Sequence, residues 1–129
     1  MRLSFERDDA ARRIRASFRV GSQYQGATGF AHGGIIATLL DEVMAKLSLF
    51  HGVQAVTAEL AVEYLRPVPV DDDLIAEGYE VKREGRNLHY AGEIRNASGT
   101  VLARARGRFV EVDPARFRAS AAPAEKAQR

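Results

Sequence analysis

Residues 34–50, GIIATLLDEVMAKLSLF, form an almost unbroken apolar run carrying only three charges, Asp41, Glu42 and Lys46. Ile35, Ile36, Leu39, Leu40, Val43, Leu47 and Phe50 point in almost every direction around a 3.6-residue period. This predicts a helix from about Gly34 to about Phe50, surrounded by protein and ending before Gly52. The charges and the length keep it short of a membrane span. The rest of the chain therefore has to supply the cover.

The 129 residues are enough for one domain with a real core and too few for two. A charged fraction of 28% and a hydrophobic fraction of 46% are those of an ordinary globular protein and argue against disorder. The absence of Cys excludes disulfides, thiolate metal sites and a cysteine nucleophile. The N-terminal MRLSFERDDAARRIR has no apolar core of a signal peptide, and with the lack of Cys this fits a cytoplasmic protein. A net charge of +2 makes no case for a nucleic-acid partner. His32, His51 and His89 lie at no metal-ligand spacing, so no metal is expected.

Outside the helix, alternation marks strands. Ile14, Ala16, Phe18 and Val20 alternate with arginines and Ser17, which predicts the first strand, followed by a long connection over Gly21–Gly33. Ala58, Leu60, Val62 and Tyr64 alternate with a polar face of Thr57, Glu59 and Glu63 until Pro67 and Pro69 stop the strand. Leu74 to Lys82 is extended, and Glu84 with Gly85 predicts a hairpin turn. Leu88, Tyr90, Gly92 and Ile94 form the next apolar face. After a turn at Asn96–Gly99 comes a face of Val101, Ala103, Ala105, Gly107 and Phe109 opposite Arg104, Arg106 and Arg108, ended by Pro114. Residues 114–129 have little to bury and read as a loose tail. The order predicts an α+β fold, an antiparallel sheet of five to six strands wrapped around one long central helix, with edges open to a second copy.

The acidic pair needs separate reasons. Glu42 has Lys46 four positions on, a favourable helical ion pair. Asp41 faces Ala37 and Ala45 at those spacings, with only the Thr38 hydroxyl nearby, and an apolar helix gives a carboxylate no reason to be there unless it is used. At the helix start, Gly33 and Gly34 bare backbone N–H groups at the positive end of the helix dipole, suited to polarising a carbonyl. Eight positions are roughly 12 Å of helical rise, too far for both groups to touch one reacting carbonyl. Two copies with antiparallel helices would bring the start of one helix beside Asp41 of the other.

The segment AHGGIIATLLDE resembles the HGG…D signature of hotdog-fold acyl-CoA thioesterases, in the PaaI-like branch, and the order of elements over residues 12 to 113 agrees. The resemblance implies a hotdog thioesterase domain over 1–113, a homodimer, and pairing of dimers into a homotetramer. It implies that Gly33 polarises the thioester carbonyl and that Asp41 attacks it or activates water. His32 would orient the loop and Thr57 would place the water. Gly26 stands where characterised members of the branch carry an assisting Asn; either Gln23 or Gln25 substitutes for it, or catalysis is weaker or tuned to another substrate.

The implied substrate is an aromatic or medium-chain acyl-CoA, with coenzyme A as part of the substrate and no cofactor. Gly34, Gln25 and Phe30 would contact it, with Tyr24 and Val43 as further acyl-group candidates. Lys82, Arg83 and Arg86 on the hairpin, with Arg104, Arg106 and Arg108 nearby, either meet the CoA phosphates or form a solvated face. Two other readings compete: a non-catalytic acyl-CoA-binding hotdog module, and a dehydratase, which is disfavoured because His32 lies at the helix entry and not opposite the acid.

Overall fold

The computed structural model describes residues 3–113 and residue 115. Six strands form one antiparallel sheet: β1 (Ser4–Asp8), β2 (Arg13–Phe18), β3 (Gln54–Tyr64), β4 (Leu74–Glu84), β5 (Asn87–Asn96) and β6 (Val101–Val112). They lie in the order β1-β2-β4-β5-β6-β3, so β1 and β3 are the edges. One helix, α1 (Gly33–Ala45), crosses the inner face and touches β2 to β6. The tail expected over 114–129 lies outside the described residues, residue 115 aside. No helix among the described residues is long and apolar enough to cross a membrane.

The helix departs from its expected form in two ways. It stops at Ala45 and tightens into a 3-10 segment, Lys46–His51, before Gly52 turns the chain in the left-handed conformation at φ 63°. Its buried residues, Ile36, Leu39, Leu40, Val43 and Met44, fall on one stripe that faces the sheet. Thr38 and Glu42 are exposed and Ile35, Asp41 and Ala45 only partly covered. A single chain therefore covers one side of a helix whose sequence is apolar on nearly all sides.

Three glycines let the helix come close. Gly78 of β4, Gly92 of β5 and Gly107 of β6 all face it, and Gly78 pairs directly with Gly92. A Cβ on Gly78 would lie 3.1 Å from the backbone carbonyl oxygen of Val43, and one on Gly92 would lie 3.3 Å from Cγ of Met44. Side chains there would lift the helix off the sheet.

Two more differences concern the edges. The sequence marks no strand before Ile14, yet Ser4–Asp8 pairs with Arg13–Ser17 of β2. Its charges hide it: only Leu3 and Phe5 reach the core margin, while Lys46 lies 5.2 Å over the Phe5 ring. At the other edge, the apolar alternation of β3 is only partly covered: Val62 packs against the core, but Leu60 is 37% and Tyr64 52% exposed, and Val56 and the following Leu65 are exposed too.

On the outer face Glu77 is almost fully buried beneath three guanidinium groups, Arg15 at 2.6 Å, Arg13 at 3.1 Å and Arg95 at 3.2 Å. Burial alone would raise its carboxyl, but the hydrogen bonds from Arg15 and Arg95 outweigh it and hold the group below the ordinary carboxylate value. A depressed folded-state value means that this stabilisation is present above the ordinary carboxylate range and is lost as pH falls through the lower, folded value.

Two outcomes are expected. Gly78→Ala destabilises the protein by about 1–3 kcal/mol, the usual effect of overpacking, seen as a lower urea midpoint at constant slope. Glu77→Gln lowers stability at pH 7 by about 1–3 kcal/mol, and the gap to the native protein narrows in urea titrations below about pH 4.

Candidate functional site

The loop before α1 is pinned by backbone hydrogen bonds. Ala31 N–H donates to the Val68 carbonyl and His32 N–H to the Tyr24 carbonyl, each at 2.8 Å, while Gly26 N–H donates to Phe30 at 3.0 Å. His32 then caps the helix: its Nδ1 accepts from the Gly34 N–H at 3.0 Å. A neutral His32 ring accepting there carries its proton on Nε2. Among the described residues nothing accepts the N–H of Gly33, at the positive end of the helix. Gly34, by contrast, spends its N–H on the cap, and its carbonyl accepts from the Thr38 hydroxyl at 2.9 Å.

Two turns further along, the Thr57 hydroxyl of β3 donates to Oδ1 of Asp41 at 2.8 Å. Strict alternation puts Thr57 on the polar face with Glu59, but the register slips between Thr57 and Glu59, leaving Ala58 as a bulge. Before the bulge Thr57 pairs with Phe109 of the inner face; after it Glu59 pairs with Arg108 of the outer face. The extra residue turns the hydroxyl toward the helix. Asp41 thus has no local partner, as its helical spacing requires, but has a tertiary one. The ion pair expected between Glu42 and Lys46 is not among the salt bridges of the described residues; Glu42 is exposed and Lys46 turns to Phe5.

The remaining expected contacts are dispersed. Gln25 accepts the Gly29 N–H at 3.0 Å through Oε1, which closes the loop beside Gly26. A Cβ on Gly26 would sit 3.5 Å from Cδ2 of His32, so that position borders the capping ring. Phe30 is 41% exposed beside the helix start and bridges to Pro69, and Tyr24 is partly buried against the core. Val43 is wholly buried toward the sheet and cannot line a ligand site in this chain.

The hairpin cations cluster by the far end of the helix, and each has an in-chain partner. Lys82 pairs with Glu84 at 2.8 Å; Arg83 pairs with Glu111 at 3.0 Å and hydrogen-bonds His51; Arg86 donates to the Glu111 carbonyl. On β6, Arg104 and Arg108 pair with Glu63 and Glu59 across the outer face.

Two features were not foreseen. The Tyr64 hydroxyl donates to the Gly33 carbonyl at 2.7 Å, a contact hidden because the sequence treats Tyr64 as one more apolar strand residue. An open groove of about 390 Å³ runs between the later turns of the helix and the start of β3, lined by Ala45, Leu49, Val53 and Val56 with Glu42 and Gln54 at its rim. Among the described residues no three His, Asp or Glu groups are placed to hold a metal ion.

The sequence profile of the thioesterase superfamily matches residues 28–103. Acyl-coenzyme A thioesterase THEM4 of Rattus norvegicus is 32% identical over 106 residues, which cover 81% of this chain and 46% of that protein. The chain thus spans less than half the length of that relative. Among solved structures, smu.793 of Streptococcus mutans UA159 bound to acetyl CoA has a TM-score of 0.80 at 22% identity, over 87% of this chain and 90% of that one. The E. coli PaaI protein from the phenylacetic acid degradation operon has a TM-score of 0.77 at 21% identity, over 86% of this chain and 80% of that one. At these identities the two structures speak for the fold, the hotdog arrangement of a sheet around one helix. The superfamily match extends over more than half of the sequence, and the chain belongs to the thioesterase superfamily.

Proposed function

We propose, with membership of the thioesterase superfamily as the premise, that this chain is an acyl-CoA thioesterase releasing free acid and CoA from an aromatic or medium-chain acyl-CoA. The observation that carries the reading is the pairing of an unclaimed N–H at Gly33 with a carboxylate, Asp41, held by a hydroxyl that a strand bulge turns toward it. The THEM4 name and the acetyl-CoA-bound neighbour add support for a CoA thioester.

Attack on a thioester carbonyl places negative charge on its oxygen, and a backbone N–H at a helix start stabilises that charge as it develops. Asp41 either bonds to the carbonyl carbon itself or takes a proton from the water that does. The carbon–sulfur bond then breaks and CoA leaves as the thiolate. Where Asp41 itself attacked, a water hydrolyses the acyl–aspartyl anhydride to free acid and carboxylate; where water attacked, the proton taken by Asp41 passes to the thiolate. Thr57 fixes the carboxylate, and its hydroxyl borders the path of the water. No cofactor enters this scheme.

Because Gly33 and Asp41 are eight residues apart on one helix, the reading requires two chains. The exposed apolar side chains of β3, at an unpaired sheet edge, support antiparallel joining of two copies, which would set Gly33 of one against Asp41 of the other. The groove lined by Leu49 and Val56 begins one turn beyond Asp41 and beside Thr57, where the acyl group would extend. Gln25, Phe30 and Gly34 border the opposite half of the site. Lys82, Arg83 and Arg86 would take the CoA phosphates by exchanging their in-chain partners for phosphate oxygens. The mass in solution is then that of two chains, or of four if dimers pair.

Gly26 favours one other reading. Without a side chain beside His32, acyl-CoA would be held and not hydrolysed.

The test is release of free CoA from a panel of aroyl- and acyl-CoAs. Asp41→Asn is expected to lower kcat by about 10²–10⁴-fold and Thr57→Val by about tenfold, with acyl-CoA still bound. Equal rates for the native protein and Asp41→Asn remove the assignment, and tight binding of acyl-CoA with no release favours the binding module. Mixing Asp41→Asn chains with Gly33→Val chains, each inactive alone, is expected to restore activity in the mixed dimer; a fully active monomer overturns the shared site.

A further inference from the structure

One peptide group, the link between Gly33 and Gly34, is held at both ends. Its N–H, from Gly34, donates to His32 Nδ1 at 3.0 Å, and its carbonyl, from Gly33, accepts from the Tyr64 hydroxyl at 2.7 Å. The first of these bonds is local, two residues apart, whereas the second arrives from another element, 31 residues away. Resting on the thioesterase reading, we infer that Tyr64 is a positioning residue, whose hydroxyl fixes this peptide plane and thereby aims the neighbouring Gly33 N–H at the thioester oxygen.

The need for such a restraint follows from the sequence. Two glycines begin the helix, and glycine loses more backbone freedom on ordering than any other residue. The first turn of a helix is also its least restrained, since its N–H groups have no helical acceptors. A donor that must meet a carbonyl oxygen within a few tenths of an ångström is poorly served by such a turn unless something outside the helix holds it.

Core packing does not account for Tyr64. It is 52% exposed, and among the described residues its hydroxyl has no hydrogen-bond partner besides Gly33. The fit to Gly33 is close: a Cβ there would lie 3.4 Å from both Cζ and the phenolic oxygen, so the ring occupies the space a side chain would take. Donation into one end of a peptide group and acceptance from the other also polarise it, which strengthens both bonds.

The placement on β3 has a further meaning. Thr57, which holds Asp41, lies seven residues earlier on the same strand. A single strand therefore positions the acid of one half-site and the donor of the other.

Tyr64→Phe keeps the ring and removes only the hydroxyl. It is expected to lower kcat about 5- to 10-fold, the effect of one hydrogen bond, with KM for acyl-CoA within about twofold and the unfolding midpoint nearly unchanged. Hydrogen exchange read by NMR is expected to quicken at Gly34, Ile35 and Ile36 and not at Leu39 to Met44. Unchanged kcat with unchanged exchange overturns the inference, as does a fall in kcat that comes with lower stability and faster exchange along the whole helix. If the native protein hydrolyses no acyl-CoA, the thioesterase reading fails by itself; exchange at the first turn then still decides whether Tyr64 holds it, and unaltered exchange overturns that as well.

Discussion

The closeness of the helix to the sheet governs the molecule. Gly78, Gly92 and Gly107 clear a furrow across three neighbouring strands, and Val43 and Met44 settle into it with the helix backbone itself in contact. Once the helix is seated there, its rotation is fixed: Ile36, Leu39, Leu40, Val43 and Met44 must face the sheet. Asp41 is then carried to the side, within reach of β3, and the N–H of Gly33 to the end. The location of the polar groups is a consequence of how the apolar ones pack.

Much of this is legible in the sequence because apolar periodicity reports on burial. The strands β2, β4, β5 and β6, the helix start at the glycine pair and the outward arginines of β6 all follow from alternation and turn chemistry. Where the reading departs from the structure, tertiary context has overruled a local rule. β1 is a strand by pairing although its residues are mostly charged, and Lys46 finds an aromatic ring more accessible than Glu42. Val43, a plausible ligand contact in one dimension, is buried in the core, and the amide oxygen of Gln25 closes its own loop.

The instructive case is Thr57. Period-two alternation puts it with the glutamates, outside; a single inserted residue, Ala58, reverses the phase. No propensity marks the insertion, since alanine sits in a strand without comment. The bulge is visible only when β6 is laid beside β3 and the partners are counted. By the same reversal Leu60, Val62 and Tyr64 keep the inner face, which is how one strand comes to serve both Asp41 and Gly33.

The two edges of the sheet are unlike, and that bears on solubility. β1 is five residues long and mostly exposed, and shows solvent Glu6, Arg7 and Asp8. Such an edge is short and charged, a poor template for adding strands. β3 is long and apolar along one side, but only one edge of each molecule has that character. A sheet that can grow in one direction only is finished when two such edges meet. Open-ended stacking of strands, the route by which exposed β edges build fibres, has no second surface from which to continue.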